Sequence, residues 1–437
     1  MACGRSKYAQ NRYFRNLQRN AQRALDRATT MAFANEVNDL LISLSEVCEY
    51  RSRKPMYSVA VLLAVVLIGF LCGENTIKNI ETFIKNNPDT VNMYLKEAGQ
   101  YIKDMPSDST ILRALHDIDC LDLLAVINEW SYRHFQKGHR HIAVDGKAIR
   151  ACLKKCFGGT HPPYILNAFD VESGAIHAQI QVGDKTNEMG ELFNLLDLMN
   201  LDGAYITVDA AFSNAAAMRA VLNAGGHMIL ALKGNQPNLT EAVKAFMQDA
   251  QSNTDFVQYW EDSDNGNALH GRICNRRYAL VHACVDDLLK DTDFEGVAHS
   301  IGMVERYRKV IRYDENGQKC IHQDIEVQTV YYIMDESDIS VEEFARYVRN
   351  HWAGSEIIHY TLDVEFDEDM SRVIKGNGMQ NLSLLRKAAI SILADIKKKT
   401  KGMSFHDLRQ DIRDLGGIPY DHVLVFESTD DECSKTG

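Results

Sequence analysis

The sequence has no Cys-x-x-Cys pair, no apolar run long enough to cross a bilayer, and no excess of positive charge. Its ten cysteines are scattered over 437 residues, and the closest pair is Cys152 and Cys156. That spread reads as reduced, largely buried thiols in a cytoplasmic protein, and it indicates neither a disulfide scaffold nor a zinc site, which would need a second ligand pair nearby. The most apolar run, Val59 to Cys72, is about 14 residues against the roughly 20 a membrane span requires. It reads instead as a helix buried on all sides, so no membrane partner is expected. The basic N-terminus is not followed directly by an apolar segment, which argues against a signal peptide. Lys and Arg number 48 against 60 Asp and Glu, and a net charge of −12 speaks against a chain coated in nucleic acid. With 45% hydrophobic and 25% charged residues the composition is that of a globular protein, and the length suggests two or three domains without internal repeats.

The charge is unevenly placed. Residues 1–27 carry Arg5, Lys7, Arg12, Arg15, Arg19, Arg23 and Arg27 against Asp26, a local +6 that leaves −18 on the remainder. Arg12, Arg15, Arg19, Arg23 and Arg27 recur every three or four residues and so share one helical face. Such a face is either a solvated charged surface or a cationic stripe that follows phosphates.

Residues 10–135 read as helical, with helices at 33–48, 57–72, 75–86 and 121–135 and a further start at Ser107-Asp108 after Pro106. Near residue 140 the pattern changes. Strands are expected at 141–146, ending in a turn, at 164–169, and at 175–182, where alternation predicts a half-buried strand. A helix at 187–200, a strand at 204–209, a helix at 214–224 and a strand at 227–232 follow. Three hairpin-linked strands and then helix–strand alternation predict a mixed sheet with helices packed on both faces, the order of a ribonuclease-H-like core. Strands at 276–284, 301–312 and 325–334 form a β-rich insertion. Helices resume at 340–362 and 380–398, and the segment from 400 reads as a polar tail ending in acids, flexible from about 425.

Asp145 and Asp209 close the first and fourth core strands. Strand ends are where open α/β sheets place ligands, although a strand-end Asp is also a common turn or helix cap. Two carboxylates without a Cys or His cluster suit a hard cation, Mg2+ or Mn2+. Two such ions, about 3.5–4 Å apart, can activate an attacking oxygen and stabilise the leaving one on a phosphate.

The flanking sequence resembles a known family. Val144-Asp145-Gly146-Lys147-Ala148-Ile149-Arg150 is similar to the first-aspartate motif of the H-repeat-associated (ISAs-type) DDE transposases. Lys185-Thr186-Asn187-Glu188-Met189, Thr207-Val208-Asp209-Ala210, Ala231-Leu232-Lys233-Gly234-Asn235-Gln236-Pro237 and His270-Gly271-Arg272-Ile273 resemble further family blocks in the same order. Arg349-Asn350-His351-Trp352, His359, Leu362-Asp363-Val364, Phe366-Asp367-Glu368-Asp369 and Asn381-Leu382-Ser383-Leu384-Leu385-Arg386 continue the series. The resemblance covers about residues 40–395 and implies a ribonuclease-H-like catalytic core, a β-rich insertion before the last acidic ligand, and an associated helical N-terminal domain. The organisation expected is a basic N-terminal helix (1–30), a helical associated domain (31–136), the first part of the core (137–250), the insertion (251–338), the C-terminal core helices (339–400) and the tail (401–437).

One position departs from the family. Its third metal ligand is a Glu four residues after the His of the His-Trp pair, and here that slot holds Ser355, with Glu356 next. A one-residue shift turns a helical side chain by about 100°. Either Glu356 completes the site, through a turn distorted at Gly354, or the site has lost its third carboxylate. The expected set is therefore Asp145, Asp209 and Glu356 on two Mg2+ or Mn2+ ions. Lys147, Arg150, Lys185, Lys233 and Arg272 are candidates for DNA contact or are ordinary surface charge. Trp352 either stacks on an unpaired base or packs the helix. The resemblance implies a transposase that cuts element ends and joins them to target double-stranded DNA, as a homodimer on DNA. The alternative is a transposase-derived DNA-binding protein with an impaired site.

Overall fold

The computed structural model describes residues 37–135, 140–155, 162–182, 188–209, 212, 214–232, 236–252, 256–263, 272–313, 319–399 and 403–415. Within those spans the side chains of 97, 153–155, 188, 272–273, 308–313, 319–326, 353, 355–357 and 414–415 lie outside the description. A helical segment at 37–43 leads through a tight turn at Leu44–Glu46 into α1 (Val59–Leu71), α2 (Ile77–Asn86), α3 (Pro88–Glu97), α4 (Asp108–Asp117) and α5 (Cys120–Phe135). Every residue of α1 is buried, as its unbroken apolar run requires, because α2, α3, α4 and two C-terminal helices surround it. Among the described residues no helix is long and apolar enough to cross a membrane. Ser58 caps α1 by accepting the Val61 N–H, and Ser107 caps α4 by accepting the Thr110 N–H. Helix α3 escaped the periodicity reading because only Val91, Tyr94 and Leu95 face inward, although Pro88 at its first turn is a start signal.

The remaining elements are β1 (His141–Ala148), β2 (Tyr164–Asp170), β3 (Ile176–Val182), α6 (Glu188–Asp197), β4 (Tyr205–Val208), α7 (Ala215–Asn223), β5 (His227–Leu232), α8 (Pro237–Gln251), β6 (Gln258–Ser263), β7 (Arg272–Val281), α9 (Val285–Leu289), β8 (Ser300–Tyr313), β9 (Lys319–Met334), α10 (Val341–Val364), α11 (Gly378–Lys399) and α12 (Phe405–Leu415). They build one nine-stranded mixed sheet in the order β3-β2-β1-β4-β5-β9-β8-β7-β6. β1, β4 and β5 run parallel, and every other neighbouring pair is antiparallel. The β-rich segment extends this same sheet, since β9 pairs with β5 through Ile229↔Met334 to Leu232↔Tyr331.

Strand alternation sends Ile142, Val144, Ile206 and Val208 into a core shared with α6, α7 and α8. Ala143, Phe169 and Ile176 go to the opposite face, into the core of α1, α4, α5, α10, α11 and α12. The helical N-terminal part and the C-terminal helices thus share one apolar interior. This layering corrects two expectations. β3 is buried on both faces rather than half-buried, because α5 and α11 cover one side and α6 the other. Residues 405–415 are not polar tail: α12 buries Phe405, Leu408 and Ile412, and the Arg409 guanidinium donates to the Phe70 carbonyl at 2.9 Å and to Asn75 Oδ1 at 2.6 Å.

Candidate active site

The parallel register pairs Ala143 with Thr207 and Val144 with Val208. The next residues along the chain are Asp145 and Asp209, so the two aspartates follow the last paired residues of strands about 4.8 Å apart. Alternation puts Asp145 and Lys147, like Thr207 and Asp209, on the face that α10 covers. β1 does not end in a turn at Gly146, as the sequence suggests. It stays paired with β2 as far as Ala148↔Tyr164, while β4 stops at Val208. Asp145 therefore sits where β1 loses its parallel neighbour. One of its oxygens, Oδ1, accepts the Gly146 N–H at 2.7 Å.

α10 is an unbroken α-helix, opened by a capping box in which Ser340 and Glu343 satisfy each other's backbone N–H groups. Three contacts seat it on the sheet. His351 Nδ1 meets Thr207 Oγ1 at 2.9 Å, and the same hydroxyl meets His141 Nε2 at 2.8 Å. His359 Nδ1 lies 3.7 Å from Asp145 Oδ2. The Asp363 carboxylate takes the Lys147 ammonium at 2.5 Å. Gly354 makes the close seating possible, because a Cβ there would stand 2.8 Å from Val171 Cγ1. Burial pushes His141 down to about 3 and holds His359 below the ordinary imidazole value.

The side chains of Ser355 and Glu356 lie outside the described residues, but their backbone positions are set by the helix. Both are three or four residues after Trp352 and three or four before His359. Trp352 shares a small cavity with Thr207, Val208 and Tyr332, and His359 reaches Asp145. Residues three and four apart are surface neighbours on a helix, so positions 355 and 356 each lie about one turn from Trp352 and from His359, and about 100° from one another.

The other candidates divide. Lys147, read as a phosphate contact, is only 6% exposed and is committed to Asp363 and, at 3.9 Å, to Glu368, so the surface role fails through burial. Trp352 packs against the sheet with Arg306 over its ring at 5.3 Å, which leaves no open stacking face for a base on that side. Arg150 is exposed and loosely paired with Asp369 at 3.5 Å. Arg272 begins β7, its side chain outside the description, and Lys185, Lys233, Arg12, Arg15, Arg19, Arg23 and Arg27 lie outside the described residues altogether.

Sequence reasoning missed Lys387. It is buried on α11, donates to Asn167 Oδ1 and to Gln179 Oε1 at 2.7 Å, and burial lowers it to about 8. Asn167 is the β2 partner of Asp145, so this ammonium sits behind the site. A lysine inside the apolar run of α11 is the only local signal.

Among the described residues no group of three or more His, Cys, Asp or Glu side chains converges on a point. The carboxylates of Asp145 and Asp209 are oxygen donors of the kind a hard divalent cation takes. The family model described as the transposase DDE domain matches residues 136–392, and that of its associated domain matches 41–131. This chain belongs to the DDE transposase family, in its H repeat-associated branch. The candidate transposase YncI of Escherichia coli O157:H7 is 26% identical over 366 residues, 83% of this chain and 88% of that protein. The H repeat-associated candidate transposase YhhI of Escherichia coli K12 is 25% identical over 373 residues, 84% of this chain and 93% of that protein. Among solved structures, the piggyBac transposase synaptic complex with hairpin DNA aligns at a TM-score of 0.43 and 11% identity, over 88% of this chain and 79% of that one. Asp145 and Asp209, on neighbouring chain segments that face one long helix, form the candidate site of this transposase.

Proposed function

We propose that this transposase cuts phosphodiester bonds at the ends of a mobile element and joins the freed 3′-hydroxyls to target double-stranded DNA, as a homodimer on DNA. The observation that carries this reading is the juxtaposition of Asp145 and Asp209 on adjacent parallel strands, beneath α10, in a chain of this family. The first five strands, three antiparallel and then two parallel, are read as a ribonuclease-H-like core. Asp145, Asp209 and Glu356 would hold Mg2+ or Mn2+. Two such ions supply Lewis-acid activation of the attacking oxygen and charge stabilisation of the leaving one.

The chain's own residues do the rest. Asp145 lies within β1 and Asp209 directly follows β4, so the two would present their oxygens from neighbouring positions on one sheet. α10 closes the third side, held in register by His351 on Thr207 and by Asp363 on Lys147. Arg150, exposed beside Asp369, is placed to meet a DNA phosphate, and Lys185, Lys233, Arg272 and the Arg12–Arg23 face are proposed as further contacts.

Strand cleavage and joining on inverted-repeat ends with Mg2+ or Mn2+ tests the reading. Asp145→Ala, Asp209→Ala and Glu356→Ala are each expected to lose at least about 100-fold in rate, the several kcal/mol of charge stabilisation that a metal site supplies. An inactive wild type that gains activity as Ser355→Glu would show instead that the third carboxylate has been lost and that DNA binding is what remains.

A further inference from the structure

Asp145 has two oxygens, and the structure accounts for them differently. Oδ1 accepts the Gly146 N–H at 2.7 Å, from a backbone donor. Oδ2 faces His359 Nδ1 at 3.7 Å, from a helix 24 residues long that is anchored at both flanks of this point. The other ring nitrogen, His359 Nε2, is buried and has no hydrogen-bond partner among the described residues. The ring lines a small interior cavity together with Asn167 and Lys387. Lys387 keeps its ammonium there by donating to Asn167 and Gln179.

These surroundings choose a tautomer. An N–H is favoured beside a carboxylate and a lone pair is favoured beside an ammonium, so a neutral imidazole here carries its proton on Nδ1. We propose that His359 is a positioning residue for Asp145, its imidazole standing against Oδ2 and limiting how the carboxylate can turn. With Gly146 on one oxygen and His359 near the other, the plane of the carboxylate is set before a cation arrives. The sequence shows His359 only as the second histidine on a helical face. Its partner is 214 positions away in the chain.

This inference rests on the metal-site reading above, and the test separates the two. Mn2+ binding to the metal-free full chain is measured by titration calorimetry, beside thermal melting, for wild type, Asp145→Asn, Asp209→Asn and His359→Ala, His359→Asn and His359→Gln. An Asn amide can place an N–H where Nδ1 stands, whereas Gln places it nearer Nε2. His359→Ala and His359→Gln are expected to weaken Mn2+ binding about 10–100-fold, the usual cost of losing an outer partner of a ligand, with His359→Asn retaining most of the affinity. A merely structural histidine would instead lower the melting temperature without this Asn-over-Gln order. His359→Ala binding like wild type, while Asp145→Asn loses binding, would overturn the inference and leave the metal reading standing. Equal loss in His359→Asn and His359→Ala would overturn it as well. Wild-type binding that neither Asp145→Asn nor Asp209→Asn alters would overturn the metal reading and this inference together.

Discussion

Replacing Lys147 by Met asks whether this cation serves the fold or the DNA. The Lys147 side chain is 6% exposed and its ammonium sits 2.5 Å from Asp363 and 3.9 Å from Glu368. The two carboxylates would respond differently to its loss. Asp363 is 33% exposed and can rehydrate, whereas Glu368 is 1% exposed and cannot. Leaving one buried carboxylate unpaired costs about 3–5 kcal/mol. The lower end applies, because Ser383 still donates to Glu368 at 2.8 Å and the buried Lys387 charge also acts on it. With an unfolding entropy of roughly 2.1 cal/mol/K per residue over the whole chain, about 3 kcal/mol corresponds to a fall in Tm of about 3 °C. Differential scanning calorimetry measures it, and the double variant Lys147→Met/Glu368→Gln should recover part of the loss, since the buried carboxylate is then neutral while Lys387 loses its countercharge. The reasoning is refuted if Lys147→Met melts with wild type but binds element-end DNA more weakly, for the lysine would then be facing phosphate.

Two further outcomes follow from the same geometry. Gly354→Ala places a Cβ 2.8 Å from Val171 Cγ1 and lifts α10 off the carboxylates; a displacement near 1 Å can cost about 100-fold in rate, and Gly354→Ala/Val171→Ala should restore strand cleavage. If the single variant cleaves at the wild-type rate, the seating of α10 does not matter to the chemistry. Stability should also fall in mild acid. His141 and His177 are held neutral by burial, down to about 3 and about 4, while in the unfolded chain they take up protons near pH 6.5. The unfolded state therefore binds more protons between those values, and stability is lost as pH falls from 6.5 towards 4, by on the order of 2–4 kcal/mol at pH 5. His141→Asn should flatten the Tm–pH curve over that window, and an unchanged slope would count against the buried-histidine explanation.

Much of the architecture was legible because local rules carried it. The all-round apolar α1, the capped start of α4, and β2, β5, α10 and α11 follow from periodicity and cap residues within a few positions. The family was also legible, through the blocks that flank Asp145 and Asp209. Solvent access was not. Alternation along Ala175–Val182 suggested one wet face, but α5 and α11, from opposite ends of the chain, dry it. Residues 405–415 looked polar, yet three apolar residues at helical spacing were enough for α12 to close the core around α1.

By itself, then, the sequence determined the family and much of the order of the elements, because each depends on neighbours a few residues away. Only the tertiary structure decided that Lys147 is buried against Asp363 and Glu368 and that Lys387 lies behind Asp145. Those properties arise where β1, α10 and α11 meet. They depend on burial and on the register of one helix against a sheet, and neither is encoded in the spacing of residues along one strand or one helix.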